Sequence, residues 1–247
     1  FLFTLPIIAK VGLIGAYMVL PIFFILLNKK KSFINTILLL ACLYIIYLAG
    51  MRGVYILLLF TAITFILWNL ISRNKFRFTA FFITVITGLI IFIFIYPKVI
   101  YWSKYPLVAS YIYHYTGKNL MSGRDRIWDN LIDVINTKPL LGHGTGVLPL
   151  DVAGISLSSH NLYIQTALQN GWIGLALLLL LFYMIWLSYF RSKDLYYTRL
   201  SASFFIGIMV YQSFEVVLTQ NKMDTALVFW LIISVGISNS IYKKQPT

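Results

Sequence analysis

Phe78-Thr-Ala-Phe-Phe-Ile-Thr-Val-Ile-Thr-Gly-Leu-Ile-Ile-Phe-Ile-Phe-Ile-Tyr96 runs from Arg77 to Pro97 without one charged side chain. At about 1.5 Å of rise per residue, a helix of this length approaches the roughly 30 Å of hydrocarbon in a bilayer. The stretch therefore predicts a transmembrane helix, and it sets the terms for the rest of the chain. Six further apolar runs follow the same pattern, at 11–27, 33–49, 53–71, 172–190, 200–218 and 225–242. The fold class expected is an all-α integral membrane protein with about seven transmembrane helices. Phe1–Ala9 is already apolar and the chain does not begin with Met. On that ground residues 1–247 read as a single membrane domain, the C-terminal part of a longer protein.

Composition supports a lipid environment. The chain is 60% hydrophobic and only 11% charged, against about 25% charged residues in soluble domains. Its mean hydropathy is +0.84. Lys and Arg number 20 against 7 Asp and Glu, a balance that in a soluble protein would suggest nucleic acid. Here the cations fall in alternate loops instead: Lys29, Lys30 and Lys31; Arg73, Lys75 and Arg77; Arg191, Lys193 and Arg199; Lys243 and Lys244. The opposite connections hold Lys10, Arg52 and Lys222. The positive-inside rule makes the first set cytoplasmic, so no nucleic acid partner is expected. The one cysteine, Cys42, lies in an apolar run and reads as a small core residue.

This orientation puts the long segment 97–159 outside, together with the start of the helix after Ser159. The extracytoplasmic region, 97–171, is too long for a simple connection. It opens with Tyr101, Trp102, Tyr105, Tyr111, Tyr113 and Tyr115. Such rings anchor in the headgroup layer, and stacking on sugar faces is the alternative. Ser122 and Asp125 resemble the N-cap and acidic first turn of a helix to about Asn136, with Ile127, Leu131, Val134 and Ile135 on one face. Asp125, Asp129 and Asp133 share a ridge that reads as a solvated face rather than a metal site.

Several residues stand out for chemistry. Arg124, in the first turn of that helix, has the planar fork that grips phosphate oxygens. His143, inside the glycine-dense Leu141-Gly-His-Gly-Thr-Gly146, is a turn filler or a participant; the segment lacks the P-loop ending. Ser158-Ser-His-Asn161 precedes an apolar helix, and a serine cap there would place His160 in its opening turn. Arg52 occupies a glycine-flanked turn between two runs. Glu215 falls within the 200–218 run, where a carboxylate is costly and needs a partner; Arg52 or Lys222 is the partner the sequence suggests. Topology alone puts Arg52, Arg124, His160 and Glu215 on one side of the membrane. Two cations and a base facing outward describe a site for an anionic lipid headgroup.

The ordered set Ser122-Gly-Arg-Asp-Arg-Ile-Trp128, Lys138-Pro-Leu-Leu-Gly-His-Gly-Thr-Gly146, Ser159-His-Asn-Leu-Tyr163 and Gly171 resembles the signature of the bacterial O-antigen polymerase and ligase superfamily. Met51-Arg52-Gly53 is similar to that family's Ser-Arg turn, with Met in place of Ser. The resemblance implies a GT-C-like, metal-independent, inverting glycosyltransferase without a cofactor. Its donor would be an oligosaccharide on undecaprenyl pyrophosphate. Carried over, Arg52 and Arg124 bind the pyrophosphate and His160 activates the acceptor hydroxyl. Asn161, Trp128, His143 and Glu215 are supporting or substrate-binding residues. Chain-length regulator and flippase proteins are the implied partners, and the bacterial inner membrane the implied location.

The leading expectation is a polymerase of lipid-linked repeat units that builds O-antigen or capsule. A ligase that moves the finished glycan to lipid A core, protein or wall polymer shares the signature. A transporter of an anionic substrate would need polar, broken helices near the bilayer midplane, and the middles of these runs are apolar. A purely structural subunit would leave the Arg, Arg, His set unexplained.

Overall fold

A computed structural model describes residues 14–29, 32–117, 119–219 and 223–242. Among them all regular structure is helical: α1 (Val19–Leu27), α2 (Phe33–Ala49), α3 (Arg52–Ile71), α4 (Lys75–Ile95), a 3₁₀ turn (Tyr96–Tyr101), α5 (Tyr105–Thr116), α6 (Arg124–Thr137), α7 (Pro149–Ala153), α8 (Leu162–Phe190), α9 (Tyr196–Tyr211) and α10 (Met223–Tyr242). Arg52–Ile71, Lys75–Tyr101 and Leu162–Phe190 are long and apolar enough to cross a membrane; Ile14–Leu27, Phe33–Ala49 and Met223–Ser238 are shorter apolar helices. Phe1–Ala9, Lys10, Lys30, Lys31, Lys222, Lys243 and Lys244 lie outside the described residues.

The chain forms two compact units. The first draws on Phe1–Phe82, Tyr183–Gln212 and Val217–Thr247. Its centre is α9, in which every residue from Leu200 to Tyr211 is buried. Within lipid, helices gain little from hydrophobicity and associate by close packing of small residues. Gly207 shows this: a Cβ there would lie 2.3 Å from Thr61 Oγ1 and 2.5 Å from the Leu57 carbonyl oxygen on α3. Gly236 on α10 donates its N–H to Ser201 Oγ at 3.1 Å. Aromatic packing completes the unit, with Phe78 and Trp186 stacked at 4.2 Å. The Arg199 guanidinium lies 3.9 Å over the Phe65 ring and donates to the Phe65 carbonyl. Gly50, left-handed at φ 59°, caps α2 by donating to Ile46 O and Tyr47 O. That cap turns the chain so that Arg52 begins α3.

The second unit comprises Ile83–Phe182 and Ser213–Val216. In α6 the buried residues are Ile127, Trp128, Leu131 and Ile135, a 3.6-residue stripe. The Trp128 ring packs against Tyr96 at 5.1 Å and Phe92 at 5.9 Å. Tyr101, Trp102, Tyr111, Tyr113 and Tyr115 are all exposed.

The glycine-dense segment after α6 binds a break in α8. Gly171 has φ 64° and ψ −169°, which interrupts the helix. The carbonyls left over before the break are met by loop N–H groups, His143 to Leu168 O and Gly144 to Gln169 O, both at 2.9 Å. The N–H groups left over after it find loop carbonyls, Trp172 to Pro139 O at 2.7 Å and Ile173 to Leu140 O at 3.4 Å. Gln165 and Gln169 donate their side-chain amides to Val147 O. Both helix ends are thus satisfied by one loop. The approach is so close that a Cβ on Gly171 would sit 2.2 Å from Leu140 O, and one on Gly142 would sit 2.6 Å from Gln169 O.

Three local expectations are corrected. The 200–218 run is not helical throughout: α9 ends at Tyr211. Gln212 Oε1 accepts the N–H groups of Val217 and Leu218 at 3.1 and 3.2 Å, and this side-chain bridge replaces helical bonding. Glu215 therefore sits in a turn, not within a helix. The residue capping α6 is Gly123 rather than Ser122. The helix at Leu162 is capped by Asn161, whose Oδ1 accepts from Tyr163 and Ile164 N–H at 2.9 and 3.1 Å, so His160 precedes the helix instead of lying in its first turn.

Candidate functional site

Three segments of the second unit converge. The first is the start of α6. Ser122 is left-handed at φ 54° and Gly123 at φ 78°, and the resulting sharp turn launches the helix at Arg124. The second is the approach to α8, where His160 is left-handed at φ 47°. A non-glycine residue in this region costs of order 1–3 kcal/mol and persists only where surroundings enforce it. Around His160 they do. Its N–H donates to Ser158 Oγ at 3.3 Å, and the neighbouring Ser159 carbonyl accepts from Trp128 Nε1 at 2.9 Å. Asn161 donates its Nδ2 to Ser213 O at 3.3 Å. Ser122 and His160 are the only non-glycine residues with positive φ among those described. One stands two positions before the site arginine and the other is the site histidine.

The third segment is the turn after α9, which presents Phe214 and Glu215. Arg124 Nη2 donates to the Phe214 carbonyl at 3.1 Å and approaches Glu215 Oε1 at 4.0 Å. Glu215 Oε2 lies 3.4 Å from His160 Nδ1. A carboxylate accepts hydrogen bonds and does not donate them, so the favourable tautomer carries the proton on Nδ1. In the neutral ring that leaves Nε2 as the basic nitrogen. The Arg124 and Glu215 side chains are 18% exposed and His160 is 36% exposed: sheltered groups, with the imidazole the most accessible. Arg124 Nε is buried and makes no hydrogen bond. The cluster is a cation and an imidazole held on either side of one carboxylate.

Sequence reading placed Arg124, His160 and Glu215 on one membrane face, and the structure brings these three together. It gives Glu215 two partners that the sequence did not suggest, Arg124 and His160; Lys222 lies outside the described residues. Arg52 belongs to the first unit, at the N-terminus of α3. Trp128 and Asn161 support the site by tying its segments together. His143 does not reach it. Its Nε2 pairs with Val134 O at 3.0 Å, close to Thr137 Oγ1 at 3.4 Å, so it fastens the glycine loop to the end of α6. Among the described residues no three His, Cys, Asp or Glu side chains gather as metal ligands. Gln212 and Ser213 escaped the sequence reading. A polar pair interrupting an apolar run was their available signal.

Comparison with known proteins gives one family. The model described as O-Antigen ligase, Wzy_C, matches residues 36–179, more than half of the chain and inclusive of Arg52, Arg124 and His160. No curated protein and no solved structure matches. With its membrane-length helices and this match, the chain is a membrane protein that belongs to the O-antigen ligase family of glycosyl-transferring enzymes.

Proposed function

We propose that the protein polymerises lipid-linked oligosaccharide repeats into a surface polysaccharide, moving the growing glycan from a polyprenyl pyrophosphate carrier to a hydroxyl of the next lipid-linked repeat. The observation that carries this reading is the Arg124–Glu215–His160 cluster. His160 Nε2 takes the proton of the acceptor hydroxyl as its oxygen attacks the anomeric carbon. The bond from that carbon to the pyrophosphate breaks, and the polyprenyl pyrophosphate leaves with the electron pair. A single displacement inverts the anomeric centre. The leaving diphosphate gains negative charge in the transition state, and a guanidinium already in place stabilises that charge more than it stabilises the ground state. Arg124 takes this role, which the resemblance assigns to Arg52 as well, and no metal ion is required. Glu215 holds the imidazole tautomer, as an orienting carboxylate does in other general-base sites.

The distribution of basic loops supports about seven spans with the site on the extracytoplasmic face, and the resemblance implies a GT-C-like design in the bacterial inner membrane. A second reading, transfer of the finished glycan to lipid A core, protein or wall polymer, is favoured by the description of the matching family as a ligase. The test is reconstitution: purified protein and undecaprenyl-pyrophosphate repeats, with chelator. A ladder of lengthening products supports the polymerase. Transfer only when a separate acceptor is added supports the ligase, and no transfer under either condition refutes both.

A further inference from the structure

The segment between α4 and α6 leaves the end of a membrane span and comes back to it. Lys75–Tyr101 is long and apolar enough to cross a bilayer, so Tyr101 falls where the chain meets a membrane surface. A turn follows, closed by the Tyr105 N–H donating to Trp102 O at 2.9 Å, and α5 begins there. Beyond α5, Met121 is buried and its carbonyl accepts from the Tyr96 hydroxyl at 3.4 Å. The excursion that carries α5 is therefore pinned at both ends to one tip of α4.

Little of α5 is covered by protein. Tyr105, Val108, Ala109 and Ile112 are half-buried, a stripe turned towards the rest of the unit. On the other side, Leu107, Tyr111 and Tyr115 are 72%, 64% and 68% exposed. Their spacing of four puts them on one ridge, and the Tyr111 and Tyr115 rings lie 4.6 Å apart. Tyr101 and Trp102, just before the helix, are exposed as well, as are Lys98 and Lys104. From Tyr96 to Gly117 the chain has no Asp, Glu, Asn or Gln.

That composition selects the occupant. A sugar is held by placed hydrogen-bonding groups in addition to an aromatic face, and here no carboxylate or amide side chain flanks the ridge. Phospholipid headgroups ask for something else: rings with an apolar body and a wet tip, and cations for the phosphates. We infer that α5 lies in the headgroup layer at this end of α4, with Leu107, Tyr111 and Tyr115 towards the acyl chains and Lys98 and Lys104 at lipid phosphates. The distribution of basic loops makes this the extracytoplasmic leaflet. The partner is the phospholipid surface itself, and the inference does not depend on the glycosyl transfer proposed above.

Cys42 is the chain's one cysteine, so a Cys42→Ala background accepts single spin labels at chosen positions. Labels go on Leu107→Cys, Tyr111→Cys and Tyr115→Cys with the protein in phospholipid vesicles. Ser110→Cys is the control: it is exposed but lies about 100° round the helix from Tyr111. Power saturation with oxygen and a nickel chelate is expected to place the three ridge labels about 5–10 Å into the headgroup boundary and the control in water. Equal access of the nickel chelate to all of them overturns the inference. So does protection of the ridge that arises only when polysaccharide is added, which would make it a glycan platform. A phospholipid with a diazirine in its headgroup tests the unaltered protein and is expected to label residues 101–115. Labelling that misses this segment overturns the inference even where a cysteine variant disturbs folding.

Discussion

The His160 imidazole and the Glu215 carboxylate meet at 3.4 Å from points 55 residues apart in the chain. The contact joins the segment entering α8 to the turn leaving α9, and the same carboxylate faces Arg124. One side chain thereby fixes the separation between a base and a cation.

Replacing Glu215 with Gln keeps the shape and removes the charge. Because the amide does not hold the Nδ1–H tautomer as a carboxylate does, transfer is expected to slow by at least about tenfold. Membrane insertion and protein level should stay normal. Full activity of Glu215→Gln would remove the carboxylate from the mechanism.

His160→Ala should lose about 10²–10⁴-fold in turnover. His160→Gly should be equally inactive yet more stable to heat than His160→Ala, because glycine adopts φ 47° without strain. Thermal unfolding in detergent ranks the two. The reverse order would mean the backbone at residue 160 is relaxed in solution.

Arg124→Lys retains charge and loses the planar fork. An ammonium cannot reproduce the bond to Phe214 O while presenting paired donors to a diphosphate. A loss of about 10²-fold or more in kcat/KM for the donor is expected, visible in initial rates with acceptor saturating. Wild-type rates would argue against bidentate contact.

Gly171→Ala and Gly146→Ala both place a methyl group on a left-handed backbone, but only Gly171 faces a wall, with Leu140 O 2.2 Å from the added carbon. Gly146 has nothing within 4 Å. The first should cost about 3 kcal/mol or more and the second about 1 kcal/mol. Urea or thermal midpoints compare them, and equal losses would show that the loop does not clamp the break in α8.

The helices were readable because apolar runs in lipid leave few alternatives to backbone-satisfied helix. The α6 stripe was likewise visible, through the 3.6-residue period. Arg124 and His160 could be chosen from residue chemistry and resemblance. The setting of Glu215 could not. Apolar residues resume beyond the Gln212-Ser213 pair, so the run still reads as one span, whereas the helix stops at Tyr211 because the amide of Gln212 captures two backbone N–H groups. That competition between side chain and backbone leaves no mark on periodicity. The role of His143 was similarly hidden, since its partner is a main-chain carbonyl.

The loop that crosses the interruption in α8 turns it into a welded elbow. Four main-chain bonds span the corner, so the lower arm, Trp172 onward, cannot swing independently of the upper arm that begins beside Asn161. The angle of that corner thus sets the direction in which the helix opening beside His160 leaves the site.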